Sequence, residues 1–262
     1  MNGPVAPGQW PLVVISHGSG GSNLSHRTLA VHLARNGYVV AMPEHPGDNR
    51  RNNQLAGTDA ILAQRPADVR FAMNWVFSND LFASSLQPEV AAIIGHSSGG
   101  YTALAVAGGR PHAFPWETPD RKPRRVDVVK DDRVRALVLL APAAVWFLEA
   151  GTLSDVRLPI LTLTGEKDDI FEVPGIKKLP DGREIYMPAG HSAIINAGVP
   201  DKALIDHRVV GNAGHFSFIG PYPEGMINPL LPPSQDPEGF DRVRFHESMN
   251  AEVVTFLNNT LP

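Results

Sequence analysis

The sequence predicts an α/β protein in three layers, a mostly parallel central sheet with helices on both faces. Three observations lead there. Short continuous apolar runs recur along the chain, and helical periodicity fills the intervals between them, the pattern of right-handed strand–helix–strand crossovers. The runs are apolar at successive positions, as strands covered on both faces are. Each closes at a glycine, a proline or a polar turn.

Taken in order, Pro11 to Ser16 (PLVVIS) is the first such strand, followed by a glycine-rich turn. Leu24 to Arg35 reads as a helix, with Leu29 and Leu33 four apart and Gly37 where a helix would stop. Tyr38 to Met42 is a second strand, closed by Pro43, and a polar loop runs from Glu44 to about Gly57. Pro66 marks the start of the next helix, where its missing N–H is harmless, and Val69, Met73 and Val76 form that helix's buried stripe. Val90 to Gly95 is a third strand, with a helix from Gly100 to Ala107 close behind it. Arg135 to Leu140 and Pro159 to Thr164 are two more strands, and His207 to Val210 is the last. Phe245, Met249, Val253, Phe256 and Leu257 mark a closing amphipathic helix. Two segments break the rhythm: residues 108–133, with their prolines and charges, and residues 171–203. Both read as surface excursions, and either is a candidate small lid on one domain spanning 1–262.

Composition narrows the function classes. The net charge is −4, with no basic surplus to attract phosphate backbones, so nucleic acid is not an expected partner. The chain has no cysteine, which removes disulfides, thiolate metal ligands and a cysteine nucleophile. The opening MNGPVAPGQW has neither a basic start nor an apolar run, so no signal peptide and a cytoplasmic location are expected. No stretch reaches the length of a membrane span. No histidine pair shows metal-ligand spacing with a carboxylate, so neither metal nor cofactor is expected.

Gly95-His96-Ser97-Ser98-Gly99 matches G-x-S-x-G and falls between a predicted strand and a predicted helix. That context places Ser97 on a sharp strand-to-helix turn, its hydroxyl at the carboxyl end of the sheet. The turn alone could be a simple linker; strand before and helix after favour a nucleophile. Ser16-His17-Gly18-Ser19-Gly20-Gly21 follows the first strand. Acyl transfer needs two N–H donors aimed at the oxygen that becomes negative. The backbone N–H groups of Ser98, next to the nucleophile, and of Ser19, in the HG-x-G turn, are assigned that role. A phosphate-binding loop is the rival reading, but the lysine of a P-loop is missing. His17 reads as a brace for the loop.

A serine nucleophile needs a base and an orienting acid, in the chain order Ser, acid, His. Gly165-Glu166-Lys167-Asp168-Asp169 follows the strand at 159–164; Asp168 is favoured as the acid, with Asp169 and Glu166 as competitors. His215 and His191 compete as base. Only 23 residues separate Asp168 from His191, against 47 to His215, and a helix and a strand must fit in the interval. His215 is therefore favoured, and His191 reads as a loop histidine near the site. His45, after the second strand, is a candidate for the pocket wall.

The blocks PLVVISHGSGG, GHSSGG, LAPAAVWF, LPILTLTGEKD and AGHFSF, in that order, resemble the α/β-hydrolase superfamily. Within it they are similar to the predicted dienelactone hydrolase group and to bacterial relatives of platelet-activating-factor acetylhydrolase. The resemblance implies the three-layer α/β-hydrolase fold, Ser97 as nucleophile, His215 as base, Ser19 as oxyanion donor, and a small-molecule carboxylic ester as substrate. A lipid acyl hydrolase or thioesterase with the same residues is the nearest alternative, and a non-catalytic binding protein on the same fold is the next. Two departures stand out. Dienelactone hydrolase uses cysteine, which this chain lacks. In the acetylhydrolases the acid lies one strand earlier, where this chain has Leu140-Ala141-Pro142 and no carboxylate.

Overall fold

The computed structural model describes residues 5–172, 174–178, 184–187 and 189–262. Its central sheet has six strands among them: β1 Trp10–Ser16, β2 Val39–Ala41, β3 Leu86–His96, β4 Val134–Leu140, β5 Ile160–Gly165 and β6 Ile205–Val210. The order across the sheet is β6-β5-β4-β3-β1-β2, and every pairing is parallel. The helices are α1 Arg27–Arg35, α2 Asp59–Ser78, α3 Ser98–Val106, α4 His191–Gly198 and α5 Arg242–Thr260. The three-layer α/β arrangement is as the sequence predicts.

The strand sequences explain the layering. Successive side chains point to opposite faces, and the buried residues fall into two cores accordingly. Leu12, Val14, Ile93, Leu137 and Leu139 join α2, α3 and α4 on one face. Val13, Ile15, Ile94, Val138 and Leu163 join α1 and α5 on the other. Both sets are apolar because both faces are covered, which is why the strands read as unbroken apolar runs.

One position, Pro66, differs from expectation. Pro66 lies inside α2, which begins at Asp59 with the Thr58 side chain accepting from the Ile61 N–H. A proline there leaves the Leu62 carbonyl without its helical N–H; the Tyr101 hydroxyl donates to that carbonyl at 2.8 Å instead. A tertiary contact thus makes an interior proline tolerable. Residues 108–133 carry an antiparallel pairing of His112–Ala113 with Arg124–Arg125, and the Glu117 carbonyl accepts from the Asp59 N–H at the start of α2. Residues 171–203 hold a second antiparallel pair, Gly175–Lys178 with Glu184–Met187, and the short helix α4. Positions 173, 179–183 and 188 of the expected lid lie outside the described residues. The start of α4 is capped from a distance: the Glu172 carboxylate accepts from both the N–H and the hydroxyl of Ser192. Nothing in eight residues of local sequence announces that cap.

Candidate active site

β1 and β3 are neighbours, yet the chain leaves them toward opposite faces. β1 leads to α1 on the α5 side, and β3 leads to α3 on the α2 side. Adjacent strands whose connections diverge leave a crevice at their carboxyl ends, the place where open α/β sheets bind ligands. The turn holding Ser97 and the glycine loop after β1 form the two sides of that crevice.

Ser97 sits at φ 55°, ψ −122°, a region that side chains rarely occupy. Such strain persists only when the surroundings over-determine it. Here the Ser97 N–H donates to the Leu140 carbonyl at 3.1 Å, and its own carbonyl accepts from Gly100 and Ala143, each at 2.8 Å. The flanking glycines are required by close approach. A Cβ on Gly99 would lie 2.0 Å from the Ser16 carbonyl oxygen, and one on Gly95 would lie 2.1 Å from that of Gly99. The turn therefore brings β3, α3 and β1 to backbone contact and leaves Ser97 at the start of α3, 9% exposed. The positive end of α3 faces the same space.

Across the crevice, a Cβ on Gly18 would lie 3.0 Å from the Ser97 Cβ, so the glycine loop rests against the serine. The backbone N–H groups of Ser19 and Ser98 donate no hydrogen bond among the described residues. A cleft of about 400 Å³ opens beside the glycine loop and Ser97, lined by Ser19, Ser97, Leu24, Phe216, Ile219 and Met226 among others. Its walls are largely apolar, with Arg27 and Arg50 among the lining residues.

The turn after β5 and the turn after β6 meet at the same edge. His215 Nδ1 and Asp168 Oδ2 are 2.9 Å apart, with both groups buried. A carboxylate oxygen accepts, so in this hydrogen bond the proton sits on Nδ1. The other Asp168 oxygen accepts from the Ile170 and Phe171 N–H groups at 3.0 and 3.1 Å. Of the competing acids, Glu166 accepts from the Asn212 N–H on the exposed side of the turn, and Asp169 is exposed. His96, next to Ser97 in the chain, donates from Nε2 to the His215 carbonyl at 3.1 Å, and the two rings lie 5.1 Å apart. The Ser97 hydroxyl makes no hydrogen bond to His215 among the described residues; such bonds are often long before substrate binds.

Two histidines differ from expectation. His191 is the first residue of α4 rather than part of a loop. Its Nδ1 accepts from the Ala144 N–H, and its ring stacks on Phe171 at 4.3 Å. Phe171 in turn stands edge-on to His215 at 4.8 Å, so His191 supports the wall behind the imidazole. His45 does not line the pocket. It is fully buried, with Nδ1 2.9 Å from Asp68 and Nε2 2.9 Å from the Ser16 hydroxyl. Burial pushes its pKa well down, with Arg65 adding to the effect. His17 accepts at Nε2 from the His45 N–H and donates at Nδ1 to the Gly18 carbonyl, bracing the loop as a neutral ring. Its pKa is lowered to about 4 by burial and by Arg65.

Sequence reasoning missed Asp48 and Arg65. They form a buried ion pair, Nη1 to Oδ2 at 2.6 Å, directly beneath the glycine loop. They lie on a polar loop and inside a helix, and no motif joins them. Among the described residues no group of three or more histidines and carboxylates is arranged to hold a metal ion. No described helix is long and apolar enough to cross a membrane.

Residues 1–55 match the family described as platelet-activating factor acetylhydrolase, isoform II. No curated protein matches the chain. The matched segment contains β1, α1, β2, the glycine loop carrying Ser19 and the later loop carrying Asp48, and it ends before Ser97.

Proposed function

We propose that this chain hydrolyses carboxylic esters by two-step acyl transfer at Ser97, acting as one unit over 1–262 without a cofactor. The observation that supports this best is Ser97 at positive φ on the floor of the cleft, at the start of α3, with the glycine loop pressed against it. In this reading Nε2 of His215 takes the Ser97 proton as the oxygen attacks the ester carbonyl. The carbonyl oxygen becomes negative between the N–H groups of Ser19 and Ser98. His215 then passes the proton to the departing alcohol, leaving the acyl group on Ser97. Water, losing a proton to His215, releases the acid and restores the serine. Asp168 holds the Nδ1–H tautomer and stabilises the imidazolium.

A fluorophosphonate probe tests the reading. Native protein is expected to label at Ser97 and to lose esterase activity together with labelling, and Ser97→Ala is expected to do neither. Equal labelling of Ser97→Ala would overturn the assignment, and no labelling of native protein would favour a binding role. The apolar walls at Leu24, Phe216, Ile219 and Met226, together with the family similarity, support a second reading in which the same residues act on lipid esters. A p-nitrophenyl ester series from acetyl to hexadecanoyl separates the two by where kcat/KM peaks.

A further inference from the structure

We infer that Asp48, held by Arg65, is a positioning residue that sets the Ser19 N–H at a fixed distance from the Ser98 N–H. The inference rests on the reading of those two groups as oxyanion donors. Ser19 stands in Gly18-Ser19-Gly20-Gly21, where flanking glycines leave the backbone unusually free. A donor in such a segment is useful only if something outside the segment holds it, because electrostatic stabilisation depends on donors already in place.

Asp48 supplies that hold. One oxygen, Oδ1, accepts from the Ser19 hydroxyl at 2.5 Å and from the Gly20 N–H at 3.0 Å. The other, Oδ2, accepts from Arg65 Nη1 at 2.6 Å. Arg65 is 1% exposed and reaches three further places, among them the Ser16 hydroxyl, to which Nη2 donates at 3.4 Å. Its Nη2 donates to the His17 carbonyl, and its Nε donates to the Thr102 hydroxyl at 3.0 Å. That hydroxyl donates to the Ser98 carbonyl at 2.9 Å. One guanidinium therefore grips the loop before Ser19, grips it after Ser19 through Asp48, and reaches through Thr102 to the residue carrying the second donor.

The energetics favour positioning over stability as the role. A buried ion pair is often no better for stability than apolar residues of the same volume, whereas charge-assisted hydrogen bonds are the short, directional ones. Asp48 does not line the cleft, so it acts through Ser19 rather than on the substrate.

Asp48→Asn leaves Arg65 without its charge partner and is a hazard to folding, so Ser19→Ala is the gentler variant; it removes only the hydroxyl link and keeps the N–H. Ser19→Thr restores a hydroxyl. On p-nitrophenyl acetate, Ser19→Ala is expected to lower kcat about tenfold with KM within about twofold, and Asp48→Asn to lower kcat about a hundredfold. Affinity for a trifluoromethyl ketone, which forms an oxyanion on the serine, is expected to fall in parallel with kcat. Ser19→Thr is expected to recover most of both. Unchanged kcat and inhibitor affinity in Ser19→Ala and in folded Asp48→Asn would overturn the inference, as would a kcat loss without a matching loss of inhibitor affinity. Ser97→Ala separates this outcome from failure of the ester-hydrolase reading. Inactive Ser97→Ala beside fully active Ser19→Ala and Asp48→Asn removes only the positioning role; active Ser97→Ala removes both.

Discussion

Among the described residues, Ser16, His45 and Asp68 form a serine–histidine–aspartate set beside the proposed one, and their residues show why hydrogen bonding alone does not make a nucleophile. In Ser16–His45–Asp68 both links are formed at 2.9 Å, yet Ser16 and His45 are fully buried and no ester reaches them. In the proposed set the Asp168–His215 link is formed and Ser97 lines the cleft. Mass spectrometry of fluorophosphonate-labelled protein is therefore expected to find the adduct on the peptide carrying Ser97 and none on that carrying Ser16; an adduct on Ser16 would refute this. Within the proposed set the roles are separable. His215→Ala is expected to lower kcat at least about a thousandfold and Asp168→Asn about ten thousandfold, since the wrong tautomer is then held. Glu166→Gln and Asp169→Asn are expected to leave turnover within about twofold, because the carboxylate placed on His215 Nδ1 is that of Asp168. His191→Ala is expected to keep kcat within about tenfold while lowering stability, as the stacked partner of Phe171 is lost. Esterase assays on p-nitrophenyl acetate with parallel urea melts check all five. Inactive His191→Ala beside active His215→Ala would reverse the assignment of the base.

At the scale of elements, α2 and the turn into α3 carry the tightest constraints. Pro66 removes an N–H from the helix interior and Tyr101 replaces it at the Leu62 carbonyl. Tyr101→Phe alone leaves that buried carbonyl unpaired, a loss of about 1–3 kcal/mol. In Pro66→Ala the backbone N–H at position 66 can bond Leu62 in the ordinary way, so adding Tyr101→Phe is expected to cost about 1 kcal/mol less. Urea unfolding of the four proteins measures the coupling, and strictly additive losses would rule out the compensation. Gly99→Ala is the severe case. Its Cβ would meet the Ser16 carbonyl at 2.0 Å, backbone against backbone, so a loss above about 3 kcal/mol or failure to fold is expected. A soluble Gly99→Ala protein with native melting would contradict the packing of β1 on α3.

The whole molecule buries an unusual set of neutral imidazoles. Burial lowers His17 and His246 to about 4 and His26 to about 3, and it holds His45 and His96 well below their ordinary value. In the unfolded chain each titrates near 6.5. Below that pH the unfolded state binds protons that the folded state refuses, so stability present above about 6.5 drains away as pH falls toward 4. Asp68, raised to about 6 by burial, and Glu172 and Glu252, also raised by burial, work in the opposite sense, but as three carboxylates against six histidines once His207, likewise lowered by burial, is included. Each histidine removes up to about 1.4 kcal/mol per pH unit, so the urea midpoint is expected to fall steeply between pH 7 and 5. A midpoint unchanged over that interval would show that these rings are hydrated or already charged in the fold.

Local chemistry in the chain was enough to determine the layers, the strand-to-helix turn at Ser97 and the choice of Asp168 and His215 as candidates. Strands covered on both faces must be apolar throughout, a sharp turn needs its glycines, and chain order with interval length separates one histidine from another. Tertiary structure alone decided the rest. The interior place of Pro66 depends on a hydroxyl 35 residues along the chain, and α4 depends on a carboxylate 20 residues before its capped serine. The Asp48–Arg65 clamp joins a loop to a helix interior with no pattern between them. Such groups are selected by where a buried donor or acceptor finds its partner, and that is a property of the packed molecule, not of any stretch of sequence.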